Sequence, residues 1–159
     1  MILLDTTVLS NFAHIRRPDL LQLALPEATT TPQVMMELQA GITAGHLPDC
    51  DWQWVAVVTL TAKEEGHLAH IRLILDDGEA SCIAVALTRG SILFTDDLDA
   101  RRYARRRGIR VSGTLGVLSI LLKERHLTVV EANVLLQEAI DHGYRSPVKS
   151  PFDLKNIGG

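Results

Sequence analysis

The sequence predicts an α/β fold: a three-layer sandwich built on a mostly parallel five-stranded sheet. Two observations lead there. Short apolar runs of strand length alternate with stretches of helix length almost from end to end. The first run, Ile2–Leu4, is continuously apolar, as a strand covered on both faces requires. At 159 residues with 47% hydrophobic content, the chain suits one domain with a core of its own.

The elements follow in order. After the strand Ile2–Leu4, Thr6 or Thr7 caps a helix running to about His14. Pro18 precedes a helix over Asp19–Leu25, and Pro26 stops it. Ala28–Thr31 reads as a β-branched strand, and Pro32 opens a helix to about Ala44. Trp54–Leu60 reads as the third strand. Thr61 caps the next helix, with Glu64 at capping-box spacing. That helix reaches about Leu75, where Asp76-Asp77-Gly78 breaks it. Another runs from near Glu79 to Gly90, a residue suited to a helix C-terminus. Ser91–Thr95 is the fourth strand, Leu98–Arg107 a helix and Ile109–Val111 the fifth strand. Helices over about Thr114–Arg125 and Thr128–His142 close the domain, taken as residues 1–143. Residues 144–159 read as a tail, irregular from Ser146 on, with Pro147, Pro151 and a final Gly pair.

Composition removes several classes. Charged residues at 22% and a mean hydropathy of +0.14 exclude a disordered chain. Cys50 and Cys82 are too few for a disulfide framework and fit a reducing compartment. Aromatic residues at 4% are too sparse for an evident base-stacking platform. Asp5 interrupts what would be the core of a signal peptide, and Arg16 and Arg17 follow the apolar stretch instead of preceding it. No run of 18 apolar residues spans a bilayer, so the expected location is cytoplasmic. Charge is uneven: residues 1–80 carry 4 Lys/Arg against 11 Asp/Glu, and residues 81–159 carry 12 against 8. Chance in a small protein explains such asymmetry, as does an acidic site in one half and an anion-facing surface in the other.

Acids stand where acids are costly. Asp5 ends the first strand, at the sheet edge where open α/β folds bind ligands; a helix cap is its structural alternative. Glu37 shares a stripe with Val34, Leu38 and Gly41, so an otherwise apolar helix face holds a carboxylate; a solvated edge position is the alternative. Glu79 lines up with Ile83 and Ala86, although a helix dipole favours any acid in a first turn. Asp76 and Asp77 read as loop or capping acids. Thr95-Asp96-Asp97-Leu98-Asp99 follows the fourth strand, and its acids emerge beside Asp5 if the strands are parallel. Two carboxylates 4 Å apart repel by ~4 kcal/mol at an effective dielectric near 20. Such a cluster persists at neutral pH only by taking up protons or holding a cation. All-oxygen ligation points to Mg²⁺ or Mn²⁺. Zinc fits poorly, because the one close histidine pair, His67 and His70, has no cysteine nearby.

This order of acids, with the segment VALTRGSILFTDDLDARRYARRRGIRVSGTLGVL, resembles the PIN-domain family over about residues 1–143. Within it, the chain is similar to a prokaryotic, VapC-like subgroup with a GE-type middle helix and a GT-G turn. The resemblance implies a parallel five-stranded sheet and a Mg²⁺- or Mn²⁺-dependent ribonuclease. It also implies a toxin paired with an antitoxin protein, and a homodimer. Carried over residue by residue, the catalytic and metal-binding acids are Asp5, Glu37, Glu79 and Asp97, with Asp96 and Asp99 as further candidates. The family's middle acid is usually Asp, and Glu79 is one methylene longer. Thr6 and Thr114 are candidates to support the ligands, as well as ordinary helix caps. Six arginines fall in residues 101–110. At 100° per residue Arg101, Arg102, Arg105 and Arg106 share one broad helix face that would track an RNA backbone; a solvated face is the alternative. Two other functions stand beside the ribonuclease. One is a non-catalytic PIN-like module that binds RNA or protein. The other is a TOPRIM-like or nucleotide-transfer domain, drawn only from the spacing of Asp97 and Asp99.

Overall fold

The chain order of the strands is not their order in space, and that difference positions the site. The computed structural model describes residues 1–148. Strands β1 (Ile2–Leu4), β2 (Ala28–Thr30), β3 (Ala56–Val57), β4 (Ile92–Phe94) and β5 (Val111–Ser112) form one sheet in the order β3-β2-β1-β4-β5. Every pairing is parallel. The chain steps outward from β1 to β3, then returns to build β4 and β5 on the other side. The direction therefore reverses at β1 and β4, and the crevice beyond their C-terminal ends is where such sheets receive ligands.

The helices are α1 (Thr6–His14), α2 (Pro18–Ala24), α3 (Pro32–Thr43), α4 (Ala62–Ile71), α5 (Asp77–Arg89), α6 (Leu98–Arg106), α7 (Thr114–Lys123) and α8 (Val129–Asp141). They complete a three-layer α/β sandwich. Helix α5 packs on β1 and β4 and is bordered by α3, α4 and α6, while α1, α2, α7 and α8 contact one another. Its residues Ala80–Ala86 are all buried, which explains the small side chains that let neighbours approach from every side. Leu3, Leu4, Leu93 and Phe94 fill the middle of the core. Tyr144, one residue past the expected domain edge, is also buried against it. The tail expected to be irregular lies outside the described residues from 149 on.

Several element limits moved, each for a local reason. The third strand shrinks from Trp54–Leu60 to Ala56–Val57 because among the described residues it is an edge strand paired to β2 alone, which is three residues long. The fifth begins at Val111 because the Ile109 N–H closes the end of α6 on the Ala104 carbonyl, after Gly108 turns with φ +76°. Helix α4 stops at Ile71, and α5 starts at Asp77 with Asp76 in the N-cap position. The Asp-Asp-Gly triplet thus starts a helix and ends none, since α4 closes at Arg72, four residues earlier. Pro18 is the first residue of α2. Neither Thr6 nor Thr7 caps α1, because Asp5 occupies that place.

One acid is purely structural. Glu64 is 1% exposed and accepts hydrogen bonds from Arg89 Nε (2.7 Å), Arg89 Nη2 (2.8 Å), Thr88 and the Thr61 N–H. The Arg89 guanidinium holds its carboxyl well below the usual carboxylate range. Its contribution is therefore present above the unfolded value and lost as pH falls through the folded one. Arg89→Ala should cost about 3 kcal/mol at neutral pH, since it strands a buried charge. In urea titrations the gap between Arg89→Ala and the parent should narrow as pH falls below about 4.

Candidate active site

Asp5 is the residue around which the site is built. Strand β1 delivers it directly to the crevice, and its N–H continues the sheet by donating to the Phe94 carbonyl at 3.0 Å. Its side chain is fully buried. Oδ2 accepts from Thr95 Oγ1 at 2.8 Å and Thr7 Oγ1 at 3.0 Å. Oδ1 has no hydrogen-bond partner among the described residues. Burial pushes this carboxyl up to about 6, the two hydroxyls oppose the shift, and Glu37 adds to it.

Glu37 is a bridge rather than a solvated edge. Its Oε2 accepts from Thr6 Oγ1 at 2.5 Å, and its Oε1 from the Gly78 N–H at 2.8 Å. Gly78 lies in the first turn of α5, so Glu37 satisfies an open N–H of that helix from across the site. A Cβ on Gly78 would stand 2.3 Å from Glu37 Oε2, so glycine is what allows the approach. Glu79 follows, half-buried. Burial pushes its carboxyl up to about 8, helped by the charges of Asp5, Asp97 and Asp76.

The adjacent acids after β4 separate by geometry. Asp97 caps α6 through Oδ1, which accepts from the Ala100 N–H at 2.8 Å, and it is close enough to Glu79 to raise it. Both oxygens of Asp96 are engaged: Oδ1 with the Thr114 N–H (2.9 Å), Oδ2 with Thr114 Oγ1 (2.6 Å) and Asn11 Nδ2 (2.9 Å). Burial raises its carboxyl, and the Thr114 and Asn11 bonds work against that. Asp99 is exposed and stands 3.5 Å from Arg102. The GT-G turn acquires a reason here. A Cβ on Gly113 would lie 2.3 Å from Asp96 Oδ1, and one on Gly116 would lie 1.9 Å from Ser112 Oγ.

The two threonine candidates both touch acids, Thr6 holding Glu37 and Thr114 holding Asp96. The four arginines do not act alike. Arg101 turns inward and donates through Nη1 to the Thr95 carbonyl (2.7 Å) and the Ser112 carbonyl (2.9 Å), tying the ends of β4 and β5. Arg102, Arg105 and Arg106 are exposed. Sequence reasoning missed Thr7, Asn11 and Thr95. Their spacing carried a signal: Thr7 and Asn11 are four apart on α1, and Thr95 opens the acidic run.

Among the described residues, no ion pair involves Asp5, Glu37, Glu79 or Asp97. Nor do three Asp, Glu, His or Cys side chains already converge as a preformed metal site. Glu37 and Asp97 are each held by their own hydrogen bonds, Glu37 to Thr6 and Gly78 and Asp97 to the Ala100 N–H. The donor set nonetheless fits a hard divalent cation: all donors are oxygen, and one buried carboxylate oxygen is unsatisfied. A PIN-domain family model matches residues 1–150, and the chain belongs to that family. PIN domains have a nuclease-type fold and typically use divalent metals. No curated protein matches the chain. Among the described residues, no helix is long and apolar enough to cross a membrane.

The raised carboxyls set a pH dependence opposite to that of Glu64. In metal-free buffer the folded chain keeps protons on Asp5 and Glu79 that the unfolded chain has lost above about 4. Stability should therefore fall as pH rises from about 4 toward 8, in urea titrations made with chelator. Asp5→Asn should fold and flatten the part of that decline below pH 6, where Asp5 itself titrates.

Proposed function

We propose that the protein is a metal-dependent endoribonuclease in which Asp5, Glu37, Glu79 and Asp97 hold one or two Mg²⁺ or Mn²⁺ ions. One observation carries this reading. A fully buried carboxylate sits at the switch point of the sheet in electrostatic reach of Glu37 and Glu79, with Asp97 next to Glu79. Among the described residues it has one unsatisfied oxygen and no paired cation. A bound divalent cation supplies Lewis acidity toward a scissile phosphate. The chain's own groups do the positioning. Thr7 and Thr95 fix Asp5 so that Oδ1 faces away from their hydroxyls. Thr6 and the Gly78 N–H fix Glu37. Asp97 stays at the start of α6 through its cap, on the helix that carries the exposed arginines. Without a cation Glu79 keeps its proton at neutral pH and Asp5 takes one up only below about pH 6, so binding a cation there would release the Glu79 proton.

Asp96 is better suited to a supporting role, because Thr114 and Asn11 use both its oxygens. The finer reading, the toxin of a toxin–antitoxin pair that forms a homodimer and works in the cytoplasm, draws its support from the resemblance to VapC-like members.

Mn²⁺ should raise the melting temperature of the parent protein by mass action and leave Asp5→Asn unmoved. An equal shift in both would remove Asp5 from the ligand set. Glu79→Gln, purified identically, should keep RNA affinity while losing most cleavage of a mixed RNA pool. If the parent binds Mn²⁺ yet cuts no RNA, the chain is a binding module instead.

The exposed part of the arginine face has its own test. Arg102→Ala with Arg106→Ala should lower RNA affinity and flatten its salt dependence by about one to two units, with Mn²⁺ binding unchanged. An unaltered salt slope would make that face a solvated surface.

A further inference from the structure

Beside the acids, a cleft of about 600 Å³ runs between α1, the start of α6 and the turn after α8. Its size is in the range of small-ligand sites. One wall is a stripe of α1: Thr7, Asn11 and His14 recur at intervals of four and three residues, so they share a face. Thr7 and Asn11 hold Asp5 and Asp96, and the stripe leads from the acids to His14. His14 lies about 10 Å along the helix axis from Thr7. There its ring stacks on His142, with centroids 5.3 Å apart and planes 21° from parallel. Among the described residues this is the one stacked aromatic pair; Trp52 and Trp54 are tilted at 45° and lie elsewhere. His142 is exposed, and exposed Arg145 lines the cleft beside it. Burial and the neighbouring His142 lower His14, so it is neutral at neutral pH and offers a ring face rather than a charge.

We propose that this cleft is a base subsite for single-stranded RNA, with the His14–His142 stack as the platform for a nucleobase and Arg145 holding the adjoining phosphate. The inference rests on the nuclease reading for its choice of ligand. Stacking suits this place because every base has a π-face, and a platform next to the acids would fix which phosphate reaches them. The stacked imidazoles supply a π-face that the 4% of Phe, Trp and Tyr does not provide at this place.

The probes are a labelled hexaadenylate RNA and an abasic RNA of equal length. Each is titrated with the full chain in EDTA, where metal-dependent cleavage is silent, and read by fluorescence anisotropy. The parent should bind hexaadenylate about tenfold more tightly than the abasic strand. His142→Ala should bring that ratio near one, and His142→Phe should keep it. Arg145→Ala should weaken both probes alike and make the salt slope about 0.7 shallower. Equal affinity of the parent for both probes, or an unchanged ratio in His142→Ala, overturns the proposal and leaves the stack as a clamp between α1 and α8. Should the alanine variant not fold, His142→Gln, polar and without a ring face, carries the same expectation. Cleavage with Mn²⁺ is scored separately. A retained ratio without cleavage supports the subsite and removes the nuclease reading. Cleavage with a ratio of one does the reverse.

Discussion

The carboxylate of Asp5, sealed at the end of the central strand, is the constraint to which the surrounding structure is fitted. A charge in that position loses its hydration, and two hydroxyls restore only part of it. Strand order explains why those hydroxyls are available. Because β4 lies beside β1, Thr95 emerges next to Asp5 although 90 residues separate them. Helix α5, packed over both strands, brings Glu79 to the same edge and gives Glu37 an N–H to bind. The acids are close because the topology leaves no other exit for the chain at those points.

The partners of the acids divide them into two groups. Glu64, Asp19 and Asp77 each face an arginine, and their charge is cancelled where it stands. Asp5, Glu37, Asp96 and Asp97 are held by hydroxyls, a side-chain amide and backbone N–H groups instead. Neutral donors orient a carboxylate without neutralising it, so the crevice keeps a negative potential. Gly78 and Gly113 belong to the same arrangement, since each leaves room for a carboxylate oxygen where a Cβ would collide.

Arg101 shows how one residue in a repetitive run acquires a separate task. The other arginines of α6 face solvent, while Arg101 turns to join the carbonyls of Thr95 and Ser112. Burial and Arg105 lower its basicity, opposed by the nearby Asp96. The stretch that reads as a uniform basic face is therefore an exposed face plus one strut. Helical periodicity distributes side chains by angle and is blind to what lies beyond the helix.

The alternation of apolar runs with helical stretches determined the α/β class, and the positions of Asp5, Glu37, Glu79 and Asp97 marked the acids to watch. These are local properties: a continuously apolar strand, a carboxylate on an apolar stripe, a Gly or Pro at a boundary. Tertiary structure decided the rest. It set the length of β3, which depends on how far β2 extends to pair with it. It separated Asp96 from Asp97, adjacent and chemically identical, by giving one of them Thr114 and Asn11 as partners. It turned Arg101 inward and brought His14 against His142 across 128 positions of chain. A hydrogen bond or a ring stack between distant residues depends on the distance between them in space, and that distance exists only once the sheet order is fixed.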